Sequence, residues 1–135
     1  MSSEKNKAIV RGLIEAENTH NPALLDEFLA PDFVNYPDPT QELRGREIYK
    51  QGLTQFTKSF PDFHGTIEDI IAEGDKVWIR YKGTGTHKGE HLGLAPTGKK
   101  VTLKAFGIYR IVDSKIVELL NFIDKDFFKE LGVIE

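Results

Sequence analysis

The chain has 135 residues, with 18 Lys plus Arg against 21 Asp plus Glu, a net charge of -3 and no cysteine. That length suits one domain spanning residues 1–135, which buries roughly two-thirds of its unfolded surface without a disulfide or a metal. The missing cysteine excludes a disulfide framework, a thiolate metal site and a cysteine nucleophile, and the acidic balance argues against nucleic acid as a partner.

The N-terminus (MSSEKNKAIVRGL) is polar, with no apolar core of a signal peptide. No apolar run approaches the ~20 residues of a membrane span. The expected location is the cytoplasm, with no membrane partner.

The first segment reads as a helix capped by Ser3, with Ile9, Leu13, Ala16 and His20 on one face and Val10 and Ile14 beside them. His20 closes it, placed to meet its last carbonyls. Asn21-Pro22 restarts the chain as N-cap and first helical residue. Leu24, Leu25, Phe28 and Leu29 then make a short amphipathic helix that Pro31 ends. Phe33 to Tyr36 reads as a short strand stopped by Pro37 and Pro39. A third helix over 45–60 carries Ile48, Tyr49, Leu53, Phe56 and Phe60 and breaks at Pro61-Asp62.

Beyond that point the period changes to that of strands: Thr66 to Ala72, Lys76 to Thr86, Val101 to Val112 and Lys115 to Asp124, rich in β-branched and aromatic residues. Glu73-Gly74-Asp75 and Asp113-Ser114 are turn sequences that make antiparallel hairpins of them. A short helix from Lys125 to Leu131, with Gly132 as its C-cap, ends the chain. Helices first and antiparallel strands second is the order of an α+β domain.

The last hairpin can be given a register. With Asp113 and Ser114 as the turn, Val112 faces Lys115, and counting back pairs Arg110 with Val117, Ile108 with Leu119 and Phe106 with Asn121. Cross-strand partners share a face, so one wall is expected to carry Phe106, Ile108, Leu119 and Asn121. The opposite face is apolar too. A sheet with two apolar faces is covered twice, and the simplest second cover is another copy of the chain, giving a homodimer through the outer sheet face.

Several segments together carry a resemblance: Leu29 to Asn35 (LAPDFVN), Arg44 to Glu47 (RGRE), Phe60 to Phe63 (FPDF), Ile67 to Val77 (IEDIIAEGDKV), Gly85 to Lys100 (GTHKGEHLGLAPTGKK) and Lys115 to Glu118 (KIVE). In this order and spacing they resemble the SnoaL-like polyketide cyclases of the nuclear transport factor 2-like superfamily. The resemblance covers nearly the whole chain. It implies a cone-shaped fold in which a curved antiparallel sheet wraps around the N-terminal helices and encloses a pocket. It also implies cofactor-free general acid/base cyclisation or isomerisation of an apolar carbonyl compound, with a carboxylate removing a proton next to a carbonyl.

In the family pattern, the last strand offers a His and, two residues on, an Asp; here these are Leu119 and Asn121. A His after the Asn of the first strand is Tyr36 here. Leu119 moves no proton, and Asn121 donates and accepts hydrogen bonds without being a base near neutral pH. A non-catalytic binder of an apolar small ligand is therefore the alternative to a cyclase.

Asn121 either orients a substrate carbonyl or is a structural amide. Tyr36 and Asn35 are expected at the pocket, with Tyr36 a donor to a ligand oxygen or a rim residue. Asp124 is the nearest carboxylate to Asn121 in sequence, either a buried base or an exposed cap of the final helix. Tyr49, Phe56 and Phe60 are candidates for the helical wall, alongside their role as core. Trp78 and Tyr81 face opposite ways, so at most one of them lines the cavity unless a bulge intervenes, and Trp78 is carried as the candidate. His87 and His91 lie among glycines that oppose a helix; they read as surface loop residues, and no metal site is expected.

Overall fold

The computed structural model describes residues 3–132, in which the change of period seen near residue 64 becomes a division of labour between helices and sheet. Helix α1 (Ser3–Asn18) and a short 3-10 helix (Pro22–Glu27) lead into β1 (Leu29–Tyr36), β2 (Leu43–Arg44) and α2 (Arg46–Ser59). The long strands β3 (His64–Glu73), β4 (Lys76–Thr86), β5 (Lys100–Val112) and β6 (Lys115–Ile123) follow, and α3 (Asp126–Leu131) closes at Gly132, which is left-handed with φ 86°. The sheet runs β2-β1-β6-β5-β4-β3, antiparallel throughout except for the parallel pair β1–β6. This is the α+β architecture read from the sequence, with a curved six-stranded sheet against helices.

The core explains the arrangement. Val10, Leu13 and Ile14 of α1 meet Val77, Ile79, Tyr109, Ile111 and Leu119 of the sheet, all buried. One end of α1 is held by Asn6, whose Nδ2 donates to the Gly74 carbonyl at 3.2 Å. The other is held by Asn18, which donates to the Gly65 carbonyl (2.9 Å) and accepts from the Gly65 N–H (2.8 Å). A second cluster of Phe60, Val101, Phe127 and Leu131 joins α2, β5 and α3.

Three sequence expectations change. The second segment is a 3-10 helix, and β1 begins at Leu29, ahead of Pro31, because Leu29 pairs with Ile116. The register then slips before Val34, at the proline that has no N–H to give. The Asp113-Ser114 turn forms as expected, both residues left-handed (φ 51° and 64°) as a tight hairpin requires. However, β6 bulges at Val117: Ile111 pairs with Ile116 but Arg110 pairs with Glu118. A one-residue slip turns a strand over relative to its partner. Leu119 and Asn121 therefore share their face with Tyr109 and Gly107, while Phe106 and Ile108 point outward with Phe122 and Leu120.

The histidines of the 86–100 loop also depart from expectation. His87 is fully buried on the Phe60 ring, with Nδ1 2.9 Å from Thr97 Oγ1. His91 packs edge-on against Phe56 and Phe60.

Removing the Asn18 amide leaves the Gly65 N–H and carbonyl without their partner. Asn18→Ala is expected to lower stability by about 2 kcal/mol in urea denaturation, since two part-buried backbone groups lose their hydrogen bonds; an unchanged midpoint would refute this account of how α1 is anchored.

Candidate functional site

Between α1, α2 and the concave face of the sheet lies a cavity of about 290 Å3. Its helical wall includes Ile14, Tyr49, Leu53 and Phe56, and its sheet wall Ile79, Tyr81, Tyr109, Leu119 and Asn121. Its lining includes a carboxyl that the sequence reading did not single out: Glu17, in the last turn of α1.

Glu17 follows Leu13 and Ile14 at helical spacing, so the stripe that buries α1 carries it inward. Asn18 fixes the helix end one residue later, and His20 adds a second tether by donating Nε2–H to the Phe63 carbonyl at 2.8 Å. Tyr49, on α2, donates its hydroxyl to Glu17 Oε2 at 2.5 Å. The Tyr49 ring is held edge-on by the fully buried Phe33, 5.2 Å between centroids. Burial pushes the Glu17 carboxyl up to about 7, against the lowering effect of the Tyr49 hydrogen bond. The hydroxyls of Tyr49, Tyr81 and Tyr109 are all pushed above the usual phenol range, mainly by burial, with the Glu17 charge adding to it. They stay protonated donors at neutral pH.

The expected site residues divide. Tyr49, Phe56, Leu119, Asn121 and Asn35 line the cavity, and Asn35 Oδ1 is buried without a hydrogen-bond partner. Of the two β4 aromatics, Tyr81 and not Trp78 lines the cavity. Trp78, Phe106 and Ile108 are on the outer face, Trp78 and Phe106 being 47% and 57% exposed. Tyr36 pairs with Leu120 on that outer face and donates to Glu42 Oε1 at 3.1 Å. Phe60 belongs to the second core cluster rather than the cavity wall. Asp124 is exposed and accepts from the Asp126 N–H at 3.0 Å just ahead of α3, whose N-cap position is Lys125 and not Asp124 as expected. Among the described residues no three His, Asp or Glu side chains come together as a metal site, and no helix is long and apolar enough to cross a membrane.

The signal that could have found Glu17 is an acid on an otherwise apolar stripe: Val10, Leu13, Ile14 and Glu17 share one face of α1. Charged residues are rarely carried inward without a reason.

Residues 7–126 match the family model described as SnoaL-like polyketide cyclase. Aklanonic acid methyl ester cyclase AcmA of Streptomyces galilaeus is 29% identical over 130 residues, covering 93% of this chain and 89% of that protein. Among solved structures, IdmH of Streptomyces antibioticus, proposed to be a polyketide cyclase, superposes with a TM-score of 0.78 at 33% identity over 94% of this chain and 98% of its own. AclR of Streptomyces galilaeus, proposed to be a hydroxylase, gives a TM-score of 0.88 at 30% identity over 98% and 84%.

A carboxyl raised from 4.5 to about 7 favours the folded state fully below pH 4.5, and that contribution is lost as pH rises to about 7. Stability to urea should accordingly fall by about 3 kcal/mol across this window and level off above it. Glu17→Gln should remove this dependence and be more stable than the parent at pH 8; a parallel fall in both proteins would place the titrating group elsewhere.

Proposed function

The chain belongs to the SnoaL-like polyketide cyclase family, and on that premise we propose that Glu17 is the general base of a cofactor-free, aldol-type cyclisation of an apolar carbonyl compound. The observation that carries the reading is the Glu17 carboxyl inside the cavity, hydrogen-bonded to Tyr49, with burial pushing it up to about 7. A base works best when its pKa lies near working pH, and burial brings a glutamate there.

The chemistry balances on this one group. Ionised Glu17 takes a proton from a carbon next to a carbonyl and becomes a neutral acid, leaving an enolate. The enolate carbon attacks a second carbonyl of the same molecule, a carbon–carbon bond forms, and the new alkoxide recovers a proton from Glu17. Leu119 and Asn121, which occupy the positions of the family's proton-active pair, serve as apolar wall and neutral amide. Asn121 and Asn35 offer carboxamides to substrate oxygens.

Aklanonic acid methyl ester, the compound in the relatives' names, is the first substrate to try. Ring closure can be followed by chromatography and enolisation by α-proton exchange in deuterated water. Activity should rise through about pH 7 as Glu17 ionises, and Glu17→Gln should cost at least ~100-fold. Turnover within a few-fold of the parent in that variant would remove Glu17 from the role.

The same reading extends to assembly. Ile71, Trp78, Ile108, Leu120 and Tyr36 lie opposite one another across five strands on the outer face, with Phe106 and Phe122 in the neighbouring row. We take this stripe to be the seat of a second copy. The parent chain is expected to sediment as a dimer, and Trp78→Glu combined with Phe106→Glu as a folded monomer; a parent that sediments as a monomer would overturn this.

A further inference from the structure

The cavity holds two phenol hydroxyls that the base does not use. Tyr49 spends its proton on Glu17, but Tyr81 on β4 and Tyr109 on β5 have no hydrogen-bond partner among the described residues, although Tyr109 is only 4% exposed. Neither hydroxyl is sealed away without contact space, unlike the Asn35 oxygen, so both reach the cavity. A buried tyrosine hydroxyl normally finds a partner.

Both rings are seated on glycines. A β-carbon added at Gly65 would lie 1.7 Å from the Tyr81 hydroxyl, and one added at Gly107 would lie 3.3 Å from the Tyr109 ring edge. Gly65 is also the residue gripped by Asn18. The two phenols are thus held in fixed positions on neighbouring strands, at a wall facing the carboxyl.

We propose that Tyr81 and Tyr109 form a donor wall that binds the oxygen of an enolate or phenolate in the cavity. The proposal rests on the reading of Glu17 as base, because the anion it holds is the one such a base makes. The ligand class follows from the chemistry. Neutral O–H donors suit an oxygen whose negative charge is spread over a conjugated system. A phosphate or carboxylate would call for a cation, and the cavity lining holds the acid Glu17 and no Lys or Arg, with His20 Nε2 engaged by the Phe63 carbonyl. The apolar walls take the ring carbons.

The probes are 2-naphthol and 2-methylnaphthalene, which share a shape and differ in the oxygen, titrated against the full chain by fluorescence. The parent should prefer naphthol. Tyr81→Phe and Tyr109→Phe should each weaken naphthol binding roughly fivefold to tenfold, the loss of one hydrogen bond, and leave methylnaphthalene unchanged, which also reports that the cavity has kept its form. An unchanged preference in both variants would overturn the proposal. So would loss of both ligands together, which would make the hydroxyls supports of the fold. If the preference stays unchanged while Glu17→Gln abolishes α-proton exchange, the donor wall falls and the base stands. If exchange survives Glu17→Gln, the base falls whatever naphthol does.

Discussion

A carboxyl carried into an apolar interior must either find donors or stay protonated, and the packing around Glu17 answers that demand. Its helix brings it inward because Val10, Leu13 and Ile14 must be buried, and they share its face. Tyr49 supplies one donor, held by the ring of Phe33. Asn18 and His20 fix the helix end to the backbone of residues 63 and 65, which holds in place the turn that carries the carboxyl. The arrangement lowers stability at neutral pH, because the charged form is poorly solvated there. The same desolvation leaves the group able to lose and regain a proton under ordinary conditions, so the cost in folding and the capacity for chemistry have one physical origin.

The elements were largely legible because their signals are local. Apolar spacing marked α1 and α2, and turn residues marked both hairpins, down to the two left-handed residues at Asp113 and Ser114. The facing of β5 was not legible. A bulge at Val117 leaves no trace in composition, since it adds one residue to a strand that already alternates β-branched and apolar side chains. With both faces apolar, nothing in the pattern could say whether Phe106 or Gly107 faced inward. Trp78 suffered the same ambiguity, because Trp78 and Tyr81 offer equal burial to either face. Leu119 and Asn121 kept their inward placement because they lie on the bulged strand itself, beyond the extra residue.

Glu17 went unread for a different reason. A single acid in a helix is ordinarily a solvated residue, and α1 carries others, Glu4 and Glu15, that are exposed. Only its phase distinguishes it: Glu15 lies away from the buried stripe and Glu17 on it. The resemblance to cyclases drew attention to the last strand, where proton-active groups are expected, and there the chain has Leu119 and Asn121. The residues of that strand that line the cavity, Leu119, Asn121 and Ile123, carry no titratable group, while α1 brings the Glu17 carboxyl into the same cavity.

On the proposed reading the base stands on the helix and not on the sheet, and that changes what the sheet must be. A histidine at residue 119 would put a chargeable ring into the same small cavity, and a cation there would pull the Glu17 carboxyl back toward the ordinary carboxylate range. Leucine brings no charge: at 1% exposure it is part of the apolar wall of the cavity that also holds Glu17. The polar groups that the sheet contributes to the wall, Asn35, Tyr81, Tyr109 and Asn121, are neutral donors that can meet an oxygen without taking over the proton. A helix-borne acid and an uncharged sheet are therefore parts of one solution, in which each departure from the family's pattern supports the other.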